Sequence, residues 1–517
     1  MNEHHHIPRA FRPPRRKRRG WLVLLVVILA LYAWFGRFAY LRITLRPTPR
    51  PDYWQAQLQA LDPPGPGAIT WTQAYKILAK PPQLAPPPAS QPSFGPDASA
   101  ALPSPRVVRQ VVLPRPSVGP DASAALLPPG TGFLAASPNP PEMRSVLEGP
   151  WDPTRSAIKA ADQLFQSAAF NSSRESMRKA LQAGWWDDTV GMLPGTIPSS
   201  LRSYREWTTC LMAHARWARE HDHDSQAATD DWLMTLRLAR QVRRSHCLLP
   251  ELTATAIDGL VAREMGLAAR EGCVPAETAT LARQIDAIRG GAAELSKMVD
   301  AARIGERCQL EYCFVREGGD WVDVSSFANM ARIGRWGGAA GSASRLWNVA
   351  SPLFHDYETA CRNVEQYWAV AATRNNMRAW FAEREKEPTD SFEGVLDGEV
   401  FRLYARNSTA MLRCYAGATH VEASMTMLGL AAYHRKHARY PDSLTQLVPD
   451  FLPRLPVDYA DRGVLRYRRE GNDYILYSVG PDGADDGGKS TNTSYPEDIY
   501  SNVDLVYSRV VREKETP

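Results

Sequence analysis

The chain lacks the short signatures that most readily announce a chemistry. None of its seven cysteines stands in a CxxC pair, so no redox couple or paired-thiolate zinc motif is written into it. There is no HExxH and no GxSxG, the marks of zinc proteases and α/β-hydrolases. An odd cysteine count leaves at least one thiol without a partner in a single chain. Cys308 and Cys313 fall in a helical pattern, where five residues rotate by about 140°, so they do not face each other for a bridge. An excess of one charge is also missing. Sixty-one Lys and Arg stand against 56 Asp and Glu, a net +5 over 517 residues, which gives no general polyanion-binding character, and no nucleic-acid partner is expected.

Long apolar runs are absent too, with one exception. Residues 20–36 carry no charge, and at 1.5 Å per residue they cover roughly 25 Å, close to the lower limit for crossing hydrocarbon. Arg37 can snorkel, which extends the span to residue 41. Trp21, Trp34, Phe35 and Tyr40 sit where interfacial aromatics belong. Arg9, Arg12, Arg15, Arg16, Lys17, Arg18 and Arg19 precede the run and only Glu3 opposes them, so the N-terminus is held inside. No small-x-small site precedes Arg37, which favours a signal anchor over a cleaved signal peptide. The expectation is a basic cytoplasmic tail (1–19), a transmembrane signal anchor (20–41) in the inner, cytoplasmic membrane, and the bulk of the chain outside the cytoplasm.

Proline is plentiful but confined: residues 47–153 hold 25 of the 41, more than helix or sheet can absorb. Within that zone residues 92–102 nearly repeat at 116–126, a duplication with little to build a core. Residues 85–137 are therefore expected to be a proline-rich, disordered linker. Before it, in the membrane-proximal segment 42–84, Trp71, Tyr75 and Leu78 have helical spacing; residues 69–79 are expected to form a short helix docked on the later domain.

From 138 to 437 helical patterns dominate. Trp232, Leu236, Ala239 and Val242 form one apolar stripe, with Arg237, Arg240 and Arg244 on another face; Asp230 or Asp231 supplies the cap, or Asp224 with Ser225 if the helix starts earlier. Pro250 and Gly272 bracket a second helix, and Pro275 opens a third. No 34-residue pattern recurs, so the array is irregular, with antiparallel neighbours. The glycine-rich stretch 334–342 contains neither GxxxxGK[ST] nor GxGxxG and reads as a surface loop. Helices resume at 353–386 and around 399–437. His221-Asp222-His223-Asp224 holds ligand-type residues but reads as a solvated helix–helix turn. His434 and His437 share a helix without a nearby acid or thiol. The 15 tryptophans occur in amphipathic patterns that point to core packing, not sugar stacking.

The period then changes. Residues 465–470 and 473–479 alternate tyrosine, charged and aliphatic positions around Gly471-Asn472, a hairpin pattern, and residues 503–511 supply a third strand. Tyr440-Pro441-Asp442-Ser443-Leu444, Val448-Pro449, Leu452-Pro453 and Ser478-Val479-Gly480-Pro481-Asp482-Gly483 frame that hairpin. The run resembles the soluble domain of type II secretion major pseudopilins over about 75 residues, and the wider arrangement resembles uncharacterised membrane-anchored bacterial proteins with a helical outer domain. The fold expected is thus mainly α: transmembrane helix, proline-rich linker, irregular antiparallel helical array, and a small C-terminal α+β module (438–517) with an antiparallel sheet.

Asp482, Asp485 and Asp486 cluster in a glycine-rich loop, with Glu497 and Asp498 downstream. From the residues alone this is either a solvated acidic turn or a place where an oxygen-loving cation relieves repulsion. The spacing is not that of an EF-hand, since its twelfth position is Thr493. The resemblance implies calcium bound by Asp482, Asp485 and Asp498. It does not extend to the pilin-type N-terminal helix, because residues 21–35 lack the processing motif. The function expected is a non-enzymatic interaction or scaffold protein of the envelope, with the lipid bilayer and an envelope protein as partners. The alternatives are an envelope-polymer hydrolase with acids drawn from separate helices, and an accessory component of a secretion system.

Overall fold

The computed structural model describes residues 141–186, 199–323, 357–384, 398–489 and 503–509, apart from a few positions inside these ranges, together with scattered positions between 24 and 76. The linker 85–137 and the glycine-rich stretch 334–342 lie outside the described residues. The chain is mainly helical, with a small antiparallel sheet near its end. Among the described residues no helix is long and apolar enough to cross a membrane.

The first strand, β1 (Ile69–Thr70), pairs in parallel with β2 (Trp185–Trp186). Here the expected helix over 69–79 is corrected: its first two residues are strand, and helix is found at Gln73, Ala74 and Lys76. Two short helices, α1 (Pro141–Leu147) and α2 (Ser156–Phe165), lead to α3 (Ala168–Ala183). Ser167 caps α3 by accepting the Phe170 N–H at 3.2 Å, a contact of the kind that stabilises a helix by about 1 kcal/mol. Beyond β2, α4 (Ser199–Glu220) and α5 (Ser225–Arg243) form an antiparallel hairpin. Asp224 closes it by accepting from the N–H groups of Gln226 and Ala227 at 3.0 and 2.9 Å, so the expected helix does start at the earlier of its possible caps. The stripe Trp232, Leu236, Ala239 and Val242 is buried as its spacing requires.

The array continues through α6 (Leu248–Arg270), α7 (Thr278–Arg289) and α8 (Ala292–Cys313). The helix expected at Pro275 begins three residues later at Thr278, and the Pro275 carbonyl instead accepts from Thr278 and Arg435. A hairpin of β3 (Phe314–Glu317) and β4 (Asp320–Asp323) follows, then α9 (Tyr357–Ala371) and α10 (Met377–Arg384).

The 40-residue α11 (Gly398–His437) is the spine. Between 410 and 433 it is buried on nearly every face, which is why its apolar and small residues do not gather on one side. Small residues let α6 approach closely: a Cβ at Gly417 would lie 2.7 Å from Thr255 Cγ2. The same helix carries the C-terminal sheet, in which β5 (Arg466–Glu470) pairs with β6 (Asp473–Ser478) around Gly471, and β6 pairs with β7 (Leu505–Val506). The third strand is two residues long rather than spanning 503–511. A single hydrophobic cluster runs from Met143 through Trp232 and Leu428 to Leu476 and Tyr507, so the sheet and the helices share one core.

Charged pairs tie the sheet to that array. Arg270 of α6 holds Asp473 with both nitrogens at 2.6 and 3.2 Å. Arg454 reaches Asp286 of α7 and Glu422 of α11, each at 2.7 Å. The carbonyls of Tyr459 and Ala460 accept the Met377 and Arg378 N–H groups at the start of α10, satisfying donors that a helix N-terminus leaves open.

Candidate cation site in the C-terminal loop

The loop after β6 is shaped by glycines. Gly480 has φ 71° and a Cβ there would lie 2.2 Å from the Val503 carbonyl oxygen. Gly488 has φ 74° and its Cβ would strike Ile475 Cδ1 at 2.5 Å. No side chain fits either position, so the loop folds tightly back over β6 and against the segment entering β7.

That fold places the acids. Asp482 Oδ1 accepts the Ala484 N–H at 3.0 Å, closing its own turn. Asp485 Oδ1 accepts from the Tyr477 hydroxyl at 2.9 Å and from Gly487 N–H at 3.0 Å, while Arg466 Nε lies 4.0 Å from its other oxygen. Asp504, just before β7, is fully buried and accepts the Gly488 N–H at 2.6 Å through Oδ2. Its Oδ1 has no hydrogen-bond partner among the described residues. Burial pushes the Asp504 carboxyl above its ordinary range; amides of Gly488 and Asp486 pull it back, and the charges of Asp485 and Asp486 push it up again. Tyr477 is pushed up to about 12, by burial first and then by Asp485.

Of the three residues expected to hold calcium, Asp482 and Asp485 lie in this loop and Asp498 lies outside the described residues. Asp504 is the acid that sequence reasoning missed. It stands sixteen positions beyond Gly488, and only the β6–β7 pairing brings it back. Among the described residues no three His, Cys, Asp or Glu side chains converge as a metal-binding group. Asp485 and Asp486 border an open groove of about 640 Å³ that Arg468, Lys489 and Arg509 also line, so its charge is mixed.

A second signal was missed as well. Residues 483–490, Gly-Ala-Asp-Asp-Gly-Gly-Lys-Ser, satisfy the spacing GxxxxGK[ST]. A phosphate cradle needs outward backbone N–H groups, and here those of Ala484, Gly487 and Gly488 are taken by Asp482, Asp485 and Asp504. Asp485 and Asp486, inside the spacing itself, also repel phosphate. The spacing does not build a cradle in this fold.

Elsewhere, ionisable groups are spent on holding helices together. Asp231 on α5 is fully buried between Arg174, 2.6 Å away, and His214 Nδ1, 2.5 Å away. Cys210 lies one turn before His214 on α4, a nucleophile-like arrangement. Burial first, then Asp231, pushes its thiol up to about 12, so the attacking thiolate is missing at neutral pH. Arg243 pairs with Glu251 and Asp258 at 3.0 and 2.7 Å. His221-Asp222-His223-Asp224 forms the α4–α5 turn, with His221 bonded to Asp222 at 2.7 Å and Asp224 acting as the cap.

No family model, curated protein or solved structure matches this chain.

Proposed function

We propose that the chain is a single-pass envelope membrane protein that serves as a non-enzymatic interaction platform outside the cytoplasm. The observation that carries this reading is at the N-terminus. Residues 24–30 are helical, and Leu24, Leu25, Val26, Val27, Ile28 and Leu29 are each about half exposed (48–57%). Six consecutive apolar residues on every side of a helix, behind seven cations, suit hydrocarbon and not water. The shared core from Met143 to Tyr507 joins the described helices and the sheet into one packed unit that could serve as a platform.

The pseudopilin-like reading of the C-terminal module draws support from its order: the long helix α11 is followed by a short 3-10 turn at Leu444–Leu447 and then by a three-stranded antiparallel sheet. Pilin-type domains join helix and sheet in the same way, although α11 is enclosed by other helices here. Calcium in the acidic loop remains part of the proposal. Its support is Asp504, a buried carboxylate with an unpartnered oxygen and two acids acting on it. A divalent cation there would remove that repulsion.

Membrane partition tests the anchor. Washed at alkaline pH, membranes should retain the full chain and lose a chain lacking residues 20–41. Recovery of both in the wash would refute the reading.

A further inference from the structure

Positions between 61 and 76 precede the proline-rich stretch in sequence but lie on the helical body in space. Leu61 packs on Ala301, Ile304 and Cys308 of α8. The Pro63 carbonyl accepts from Arg244 Nη2, beyond the end of α5, at 3.0 Å. Ile69 donates its N–H to the Gly184 carbonyl at 3.0 Å, and β1 then pairs with β2. Thr70 N–H donates to Gln73 Oε1 at 2.9 Å while Gln73 N–H donates to Thr70 Oγ1 at 3.1 Å. This reciprocal capping box starts a helical turn. That turn drives Ala74, 0% exposed, into the main core. The chain rejoins the same body at Pro141, the start of α1. Both ends of the connection 77–140 are therefore fixed on one folded unit.

We propose that residues 61–76 are a docking strap that holds the N-terminal part of the protein onto the helical body without help from the covalent connection through 77–140. The connection through 77–140 then joins two points already fixed on the same body and is not the tether from which the domain hangs. Proteolysis within it leaves the body attached. The surface that receives the strap is formed by α8, the end of α5 and β2, and its occupant is this chain's own segment. Only the membrane arm of the test rests on the anchor proposed above.

The test uses the full chain with an affinity tag at its N-terminus and a protease site inserted after residue 110. After complete cleavage in mild detergent, capture of the N-terminal fragment should bring down nearly all of the C-terminal fragment. Ala74→Arg places a long cation at a closed position and should release the C-terminal fragment after cleavage, while the uncleaved variant keeps its helical circular dichroism. Thr70→Ala with Gln73→Ala removes only the capping box and should release part of it, which keeps the test decisive if Ala74→Arg misfolds. Separation of the wild-type fragments on cleavage would overturn the proposal, as would equal retention in wild type and in both variants. In membranes without detergent, the cleaved chain should stay in the pellet. If the uncleaved chain is itself soluble, the anchor reading fails and the detergent arm still decides the strap.

Discussion

Acidification should destabilise this protein through His420 before its carboxylates are titrated. His420 lies on α11, 6% exposed, stacked on Tyr507 with ring centroids 5.4 Å apart. Burial first, and Arg263 second, push its pKa down from 6.5 to about 3. A base whose folded pKa is depressed contributes stability that is complete above the unfolded value. That contribution is lost as pH falls below about 6.5, because the unfolded chain takes up the proton and the folded one does not. Each pH unit in that window costs about 1.4 kcal/mol, so going from pH 7 to pH 5 removes about 2 kcal/mol. Asp473, held low by its bond to Arg270, does not lose its contribution until pH falls toward the ordinary carboxylate range. Asp458 and Asp504, raised by burial, shift stability the other way as pH falls. The comparison that isolates the histidine is His420→Phe, which keeps a ring against Tyr507 and has no proton to bind. Urea unfolding of the full chain in mild detergent, followed by tryptophan fluorescence at pH 7, 6 and 5, should show a loss in wild type exceeding that in the variant by about 2 kcal/mol. Equal losses would refute the assignment of a buried neutral imidazole.

Gly417→Ala should force α6 and α11 apart at Thr255 and cost about 1–3 kcal/mol of unfolding free energy, with Thr255→Ala restoring most of it; an unchanged urea midpoint would contradict the close approach. Asp504→Asn should unfold at a higher temperature than wild type in chelator at pH 7, since a disfavoured buried charge is gone. It should also lose the gain from calcium, which in wild type is about 2.7 kcal/mol at a hundred times the dissociation constant; identical wild-type curves with calcium and with chelator would leave the loop an ordinary acidic turn. Native thiol titration should label Cys273, which is partly exposed, ahead of Cys210 and Cys308, whose thiols are pushed up to about 12 and about 11, mainly by burial; early reaction of Cys210 would contradict its packing.

What was legible in the sequence was local. The Trp232 stripe and the turn at Gly471 each follow from neighbours within one or two turns of chain, and the structure places both as their spacing requires, while the choice of Asp224 over Asp230 and Asp231 as cap was left open by the spacing. What was not legible depends on distant pairing. Ile69 and Thr70 have helical neighbours, and nothing nearby says that the Gly184 carbonyl waits for the Ile69 N–H. The Thr70–Gln73 capping box was readable, and would have moved the helix start past residue 70. Asp504 looks like one more acid between apolar residues until β7 brings it against Gly488. At the candidate site the glycines and the acid cluster were therefore visible, while the buried member was not.

The proposed arrangement is a folded body held outside the cytoplasm on an N-terminal anchor. A reporter that matures only outside the cytoplasm, fused after Pro517, tests it most directly. The fusion should be active and should become inactive when residues 20–41 are deleted. Activity of a cytoplasm-specific reporter at the same position, with the outside reporter silent, would contradict it.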